Sequence, residues 1–162
     1  MVNNAAIVSI IKKISDKNSA PCKKTLQKMV FLIEAKQVDL GCAYGIHFYG
    51  PYSSDLDFAV RELCDEDVLN IEYTNTEHRI SIKDDSAIEE YNNQIVDEIV
   101  DEFAEETPSE LELLATALYV YLNDKDINRI KRGVIKIKGN KYSEKRIDEA
   151  IKRLRNNGFL AA

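Results

Sequence analysis

The chain has 162 residues, 44% hydrophobic and 31% charged, with a formal net charge of -6. That size suits one ordinary domain or two small units sharing a core, and that composition excludes a disordered chain. No apolar run approaches the roughly 20 residues of a membrane span, and residues 1–6 lack the basic start and apolar stretch of a secretory signal. A location in the cytoplasm is therefore expected. Cys22, Cys42 and Cys64 are odd in number, widely spaced and without a Cys-x-x-Cys pair, which fits free thiols in a reducing compartment.

Charge is unevenly distributed. Residues 84–113 hold twelve acids and no Lys or Arg, residues 114–162 hold twelve bases against five acids, and residues 1–83 are nearly balanced. Net charge alone thus says little about partners, and the distribution says more.

Taken in order, Ile7, Ile10, Ile11 and Ile14 mark an amphipathic helix over residues 5–17. After a turn at residues 18–21, Pro21 fits the opening of a second helix with Leu26, Met29, Val30 and Ile33 on one face. Residues 44–49 read as a short aromatic strand, and Gly50-Pro51 as a turn. Ser53 is a good cap for a third helix bearing Leu56, Ala59, Val60 and Leu63. Residues 69–73 and 79–83 alternate with period two and are joined by a loop at 74–78, the pattern of a hairpin. Helices followed by such a hairpin predict a winged helix-turn-helix unit over residues 1–83, the hairpin being the wing.

Ile88, Tyr91, Ile95, Ile99 and Phe103 predict an acidic connecting helix within residues 84–106. The break at Thr107-Pro108-Ser109 opens a basic C-terminal unit, residues 107–162. It holds one helix with Leu111, Leu114, Leu118 and Tyr121, then another with Ile127, Ile130, Val134 and Ile137. Ser143 caps the last, with Ile147, Ala150, Ile151 and Leu154, and Gly158 ends it. Tyr142-Ser143 and the apolar spacing after it echo Tyr52-Ser53 and the third helix. This echo allows a second helix-turn-helix unit, although any capped amphipathic helix has the same look. The fold class expected is mostly α with a small β-hairpin.

Two segments carry a resemblance. Lys24-Thr25-Leu26-Gln27-Lys28-Met29-Val30-Phe31-Leu32, followed by Phe48-Tyr49-Gly50-Pro51-Tyr52-Ser53-Ser54-Asp55-Leu56, is similar to the YwgA-like family of small bacterial and archaeal proteins. A more distant likeness is to the Panacea-type antitoxin domain. The resemblance covers roughly residues 5–83, and more loosely the rest. It implies a winged-helix-like fold and a regulatory role, and it carries over no catalytic residue.

The chemistry candidates are few. His47, Ser53 and Asp55 offer the residue types of a nucleophilic triad, but a cap, a helix-dipole acid and a strand residue account for them more simply. Two histidines and scattered cysteines lack metal-ligand spacing, and no phosphate-binding glycine loop occurs. No enzyme activity, metal or cofactor is expected. Tyr49, Gly50, Pro51, Tyr52 and Ser53 read as a structural motif; Tyr44, Phe48, Tyr49 and Tyr52 would either bury one face against the helices or form an aromatic binding surface.

Lys141, Lys145, Arg146, Lys152 and Arg153 are the candidate nucleic-acid-binding residues. They lie on or just before the last helix, whose N-terminal part would enter the major groove, and such cations bind phosphates by salt-dependent counterion release. A solvated face, or pairing with the acidic helix within the chain or across a homodimer, would use the same charges. The third helix carries Asp55, Asp57, Glu62, Asp65 and Glu66 against Arg61 and would repel phosphate. A protein partner is the expectation for that unit. The leading expectation is a non-enzymatic regulator that binds nucleic acid through its C-terminal unit, and the alternative is a protein-interaction module, antitoxin-like or adaptor-like.

Overall fold

A computed structural model describes residues 1–48 and 50–161. Its elements are α1 (Asn4–Lys17), α2 (Lys23–Ala35), β1 (Gly45–His47), β2 (Gly50–Tyr52), α3 (Ser54–Asp65), β3 (Leu69–Tyr73), β4 (His78–Ile82), α4 (Gln94–Phe103), α5 (Pro108–Asp124), α6 (Ile130–Lys138) and α7 (Glu144–Asn156), with one 3-10 turn (Ile127–Arg129) before α6. The architecture is mostly helical with two small antiparallel hairpins, β1–β2 and β3–β4; the helical class and the β3–β4 hairpin are as expected, and β1–β2 is an addition.

Side-chain caps set most helix starts. Ser53 Oγ accepts from the Leu56 N–H at 3.2 Å and Ser143 Oγ from the Arg146 N–H at 3.2 Å, so both serines act as the sequence suggests. Asn93 does the same for α4, accepting from Val96 at 3.1 Å. That cap corrects the acidic helix: it begins at Gln94, and the stretch from 84 to 93 is irregular. Asparagine bonds the backbone in non-helical geometry and starts helices better than it continues them. Ile88 and Tyr91 still pack on the core, from coil.

Two further expectations are corrected. Pro21 does not open α2; Cys22 is the cap, and its sulfur accepts from Thr25 at 3.4 Å. Pro21 and Cys22 are extended beside β4 instead: the Ile80 N–H donates to the Pro21 carbonyl at 2.8 Å, and Cys22 is bridged to Arg79. The Gly50-Pro51 pair is not a turn but part of strand β2. Pro51 faces Ile46 and Gly50 faces His47, an edge position where a missing N–H is tolerated. Tyr49 lies outside the described residues.

One continuous core runs from Ile7, Ile10 and Ile11 of α1 through Met29, Leu32 and Ile33 of α2 to Leu114, Leu118, Ile147 and Leu154. α5 is the hub, packed on α2, β2, α6 and α7. Gly133 sets the α5–α6 approach: a Cβ there would lie 2.4 Å from Val120 Cγ1, so a side chain would push the helices apart. Among the described residues no helix is long and apolar enough to cross a membrane.

Candidate functional site

The two segments that carry the family likeness meet in space. Gln27 of α2 clamps the backbone of Ser53: its Oε1 accepts from the Ser53 N–H at 2.8 Å, and its Nε2 donates to the Ser53 carbonyl at 2.9 Å. One helical position on, Lys28 donates to the Pro51 carbonyl at 2.6 Å. Both side chains are buried, and each satisfies backbone groups that would otherwise be orphaned where β2 runs into α3. The spacing of Gln27 and Lys28 is therefore matched to the spacing of Pro51 and Ser53. The three residues with the types of a nucleophilic triad have these contacts. Ser53 Oγ is committed to its cap, His47 is exposed and stacks with Tyr52 at 4.8 Å, and Asp55 accepts from the Ala43 N–H at 3.3 Å.

Behind β2 lies a polar centre that periodicity does not announce. Glu112 of α5 is fully buried, and four lysine ammoniums surround it. On its Oε2 converge Lys141 at 2.6 Å, the Tyr142 hydroxyl at 2.5 Å and Lys138 at 3.2 Å. Lys24 lies 2.9 Å from Oε1. Lys28 completes the group from the β2 side, close to the Gly50 Cα. Burial pushes the Glu112 carboxyl up, but hydrogen bonds from Lys141, Tyr142 and Lys24 and the charge of Lys138 outweigh it and hold the carboxyl down at about 2. Burial lowers Lys28 to about 8, because Glu112 only partly offsets desolvation and the other three lysines repel it. Lys138 is lowered for the same reasons, and Tyr142 is raised by burial and by Glu112.

Gly50 fits this centre tightly. Its φ is +93°, and a Cβ would stand 2.9 Å from Thr116 Oγ1, 3.5 Å from Glu112 Cγ and 3.6 Å from Lys28 Nζ. Thr116 is fully buried, and its hydroxyl has no hydrogen-bond partner among the described residues. The hairpin tip is held from the other side, where Lys138 donates to the Phe48 carbonyl at 2.7 Å.

The five candidate nucleic-acid residues fall in three places. Lys141 belongs to the Glu112 centre and keeps 42% of its side chain exposed. Arg146 lies 5.0 Å from the Tyr142 ring centroid and pairs with Glu110 at 3.3 Å; Arg153 lies 4.6 Å over Phe103 and pairs with Glu106 at 2.8 Å and Glu102 at 3.3 Å. These two arginines join α7 to the acidic segment. Lys145 and Lys152 are exposed and form no ion pair among the described residues. The aromatic group also divides. Tyr44 stacks edge-on against Phe31 at 5.1 Å and donates to the Gln27 carbonyl at 3.3 Å, whereas Phe48 is 83% exposed.

Glu112 is not among the residues the sequence marks; Lys24 and Lys28 are, but only as members of the segment that carries the likeness, and Lys138 only as one basic residue of the C-terminal unit. One signal was present: Glu112 interrupts the run Leu111-Glu112-Leu113-Leu114, an acid where every neighbour is apolar. Such an acid inside a buried stripe needs cations from elsewhere, and nothing local says that α2 and the α6–α7 turn supply them.

The fold and site describe a mostly helical chain with two hairpins and a lysine-rich polar centre gripping the second strand of one of them. No family model matches the chain. It is similar to the uncharacterized protein YwgA of Bacillus subtilis (strain 168), 28% identical over 150 residues that cover 88% of this chain and 90% of that protein. This likeness covers most of the chain and is consistent with the YwgA-like resemblance carried by residues 24–32 and 48–56. It adds no support for the Panacea-type likeness.

Proposed function

We propose that the chain is a non-enzymatic regulator of winged-helix type that binds nucleic acid through its basic C-terminal unit. The observation that carries this reading is the charge left after internal pairing. Lys125, Arg132, Lys136, Lys145, Lys152 and Arg155 are exposed and form no ion pair among the described residues, whereas Glu149 is the one acid of residues 107–161 in that condition. Unspent cations of this kind release counterions when they meet phosphates. The order α1, an extended residue pair bridged to β4, α2, the inserted β1–β2 hairpin, α3 and the β3–β4 hairpin supports a winged arrangement. The wing tip carries Glu77 and α3 is acidic, so the first unit is poorly suited to phosphate.

Fluorescence anisotropy with mixed-sequence duplex DNA across a salt series tests the reading. Affinity should fall linearly on logarithmic axes, by roughly 0.9 in slope per phosphate contacted. The K145E/K152E variant should weaken binding and leave stability unchanged. Absence of binding at low salt would sink the proposal.

A specific observation favours the second reading, a protein-interaction module. Phe58 of α3 is 59% exposed in a 650 Å³ groove with Met1, Val2, Asn4, Gly41 and Glu62. An exposed aromatic in an acid-rimmed groove suits a protein partner better than a phosphate chain. Under that reading F58A abolishes capture of the partner, and the K145E/K152E variant does not.

A further inference from the structure

We propose that Phe48, presented beside the basic turn between α6 and α7, is a stacking platform for an unpaired base, so that the nucleic acid this chain binds is single-stranded. The inference rests on the nucleic-acid reading above and deepens it, naming the form of the strand and the residue that meets a base. Lys145 and Lys152 take no part in it.

A lone exposed aromatic residue is ordinary on a protein surface; its surroundings set Phe48 apart. The residue is 83% exposed, yet the backbone beneath the ring is fixed. Lys138, the last residue of α6, donates to the Phe48 carbonyl at 2.7 Å, and its ammonium lies 3.2 Å from Glu112 Oε2. The strand before Phe48 is paired with β2, Ile46 facing Pro51 and His47 facing Gly50. An anchored backbone thus turns a large apolar ring out to solvent. Ile46, two positions back, is 40% exposed, and so is Ile135, one turn before Lys138 on α6. The charge around this apolar patch has a single sign. Residues 42–54 and 127–143 hold no Asp or Glu, and 127–143 hold six Lys or Arg. Arg132 and Lys136 of α6 are exposed and form no ion pair among the described residues. Lys141 meets the same Glu112 oxygen as Lys138, at 2.6 Å, and keeps 42% of its side chain exposed.

An exposed ring flanked by cations and free of acids suits a strand whose bases are unstacked. Stacking one base on an aromatic side chain is worth about 5- to 150-fold in affinity. The cations of α6 and of the turn after it take the phosphates on either side of that base, whatever the sequence. A duplex does not offer the same contact. Its bases are closed against their neighbours and present only their edges in the grooves, and a phenyl ring has no donor or acceptor with which to read an edge. The contrast with Phe58 of α3 is one of charge: that ring lies in a groove with Asp55 and Glu62, where a phosphate chain is repelled. Stacking and phosphate contacts are common to single-stranded DNA and RNA, so the ring by itself accepts either.

The chain has no tryptophan, so F48W places a lone fluorescent reporter on the platform. Titration of the full chain carrying F48W with oligo-dT and with oligo-U should quench that fluorescence saturably, and the tighter of the two identifies the sugar. Anisotropy with labelled oligo-dT gives the magnitude. F48A should weaken binding by about 5- to 150-fold and F48Y by less than about threefold. Both should melt with wild type, because the ring is exposed. The loss in F48A should persist in high salt, where the affinity itself falls. A duplex of the same length should bind more weakly and respond to F48A by less than about twofold. Oligo-dT affinity indifferent to F48A, or quenching that does not saturate, overturns the platform. An equal loss on the duplex also overturns it and marks Phe48 as a wedge between stacked base pairs. Duplex binding that needs Lys145 and Lys152 but not Phe48, with F48W silent, removes the platform and leaves the regulator reading. Single-strand binding with quenching, in a protein that ignores duplex, keeps the platform and removes the duplex-binding regulator. Absence of binding to every nucleic acid overturns both.

Discussion

Glu112 has no contact with solvent and is the sole carboxylate among four lysines, so its charge matters more than its volume. The E112Q variant keeps the shape and leaves the ammoniums to repel one another. A loss of about 3–5 kcal/mol is expected, the usual cost of breaking a buried ion pair from one side, measurable by urea unfolding. The pH dependence follows from the direction of its shift. With the folded carboxyl at about 2 against an ordinary 4.5, the stabilisation is fully present above about pH 4.5 and is lost as pH falls toward 2; its size is about 3 kcal/mol. The Lys28 shift is a cost to stability rather than a gain, relieved as pH rises. Its folded value of about 8 lies below the ordinary 10.5, so between those values the unfolded chain binds more protons and stability rises with pH. The stability difference between wild type and K28M should therefore shift in favour of wild type, by about 3 kcal/mol, from pH 7.5 to 10.5. A flat difference would mean that Lys28 is not held in a desolvated site.

Gly50 and Ser53 show how a strand three residues long is given a fixed place. β2 has little pairing of its own, and it is secured by α2 below and α5 behind. G50A meets two obstacles, a φ of +93° and a Cβ 2.9 Å from Thr116 Oγ1. It should cost about 1–3 kcal/mol, and T116A in the same chain should restore only the steric part. Replacing Gln27 by Leu orphans both the N–H and the carbonyl of buried Ser53 and should cost about 2–4 kcal/mol. S53A removes only the cap and should cost about 1 kcal/mol. Thermal unfolding of the three variants gives the ranking, and S53A exceeding Q27L would contradict the clamp. Most helix positions, the Ser53 and Ser143 caps and the β3–β4 hairpin were legible because each depends on residues within a few positions of one another. The start of α4 was not, because Ile88 and Tyr91 keep a helical spacing in a stretch that Asn93 ends by capping.

Across the whole molecule the acidic segment acts as a seam. Lys13 pairs with Asp97 and Lys17 with Asp101 on one side, and Arg153 pairs with Glu102 and Glu106 on the other. The charge asymmetry along the chain is thus partly cancelled within the fold, and the cations of α6 and α7 that meet no acid remain at the surface. R153E sets a like charge against two acids and removes the packing on Phe103. It should destabilise by about 1–2 kcal/mol, with the loss reduced in high salt, whereas K152E, one position away, should be neutral within about 0.5 kcal/mol. Paired melts at low and high salt check both.

By itself the sequence determined the helices, the serine caps, the wing-like hairpin and the opposed charge of the last two segments. These follow from periodicity, turn chemistry and counting, all of which act over a few residues. The tertiary structure decided which charges remain available. Lys145 and Arg146 are neighbours on one helix, yet only Arg146 meets an acid, because α7 packs on α5. Lys24 and Lys141 are more than a hundred positions apart and share Glu112, because α5 lies between them. A charge is spent or unspent according to what packing places within a few ångströms of it, and that distance is written in the fold rather than in the spacing of residues along the chain.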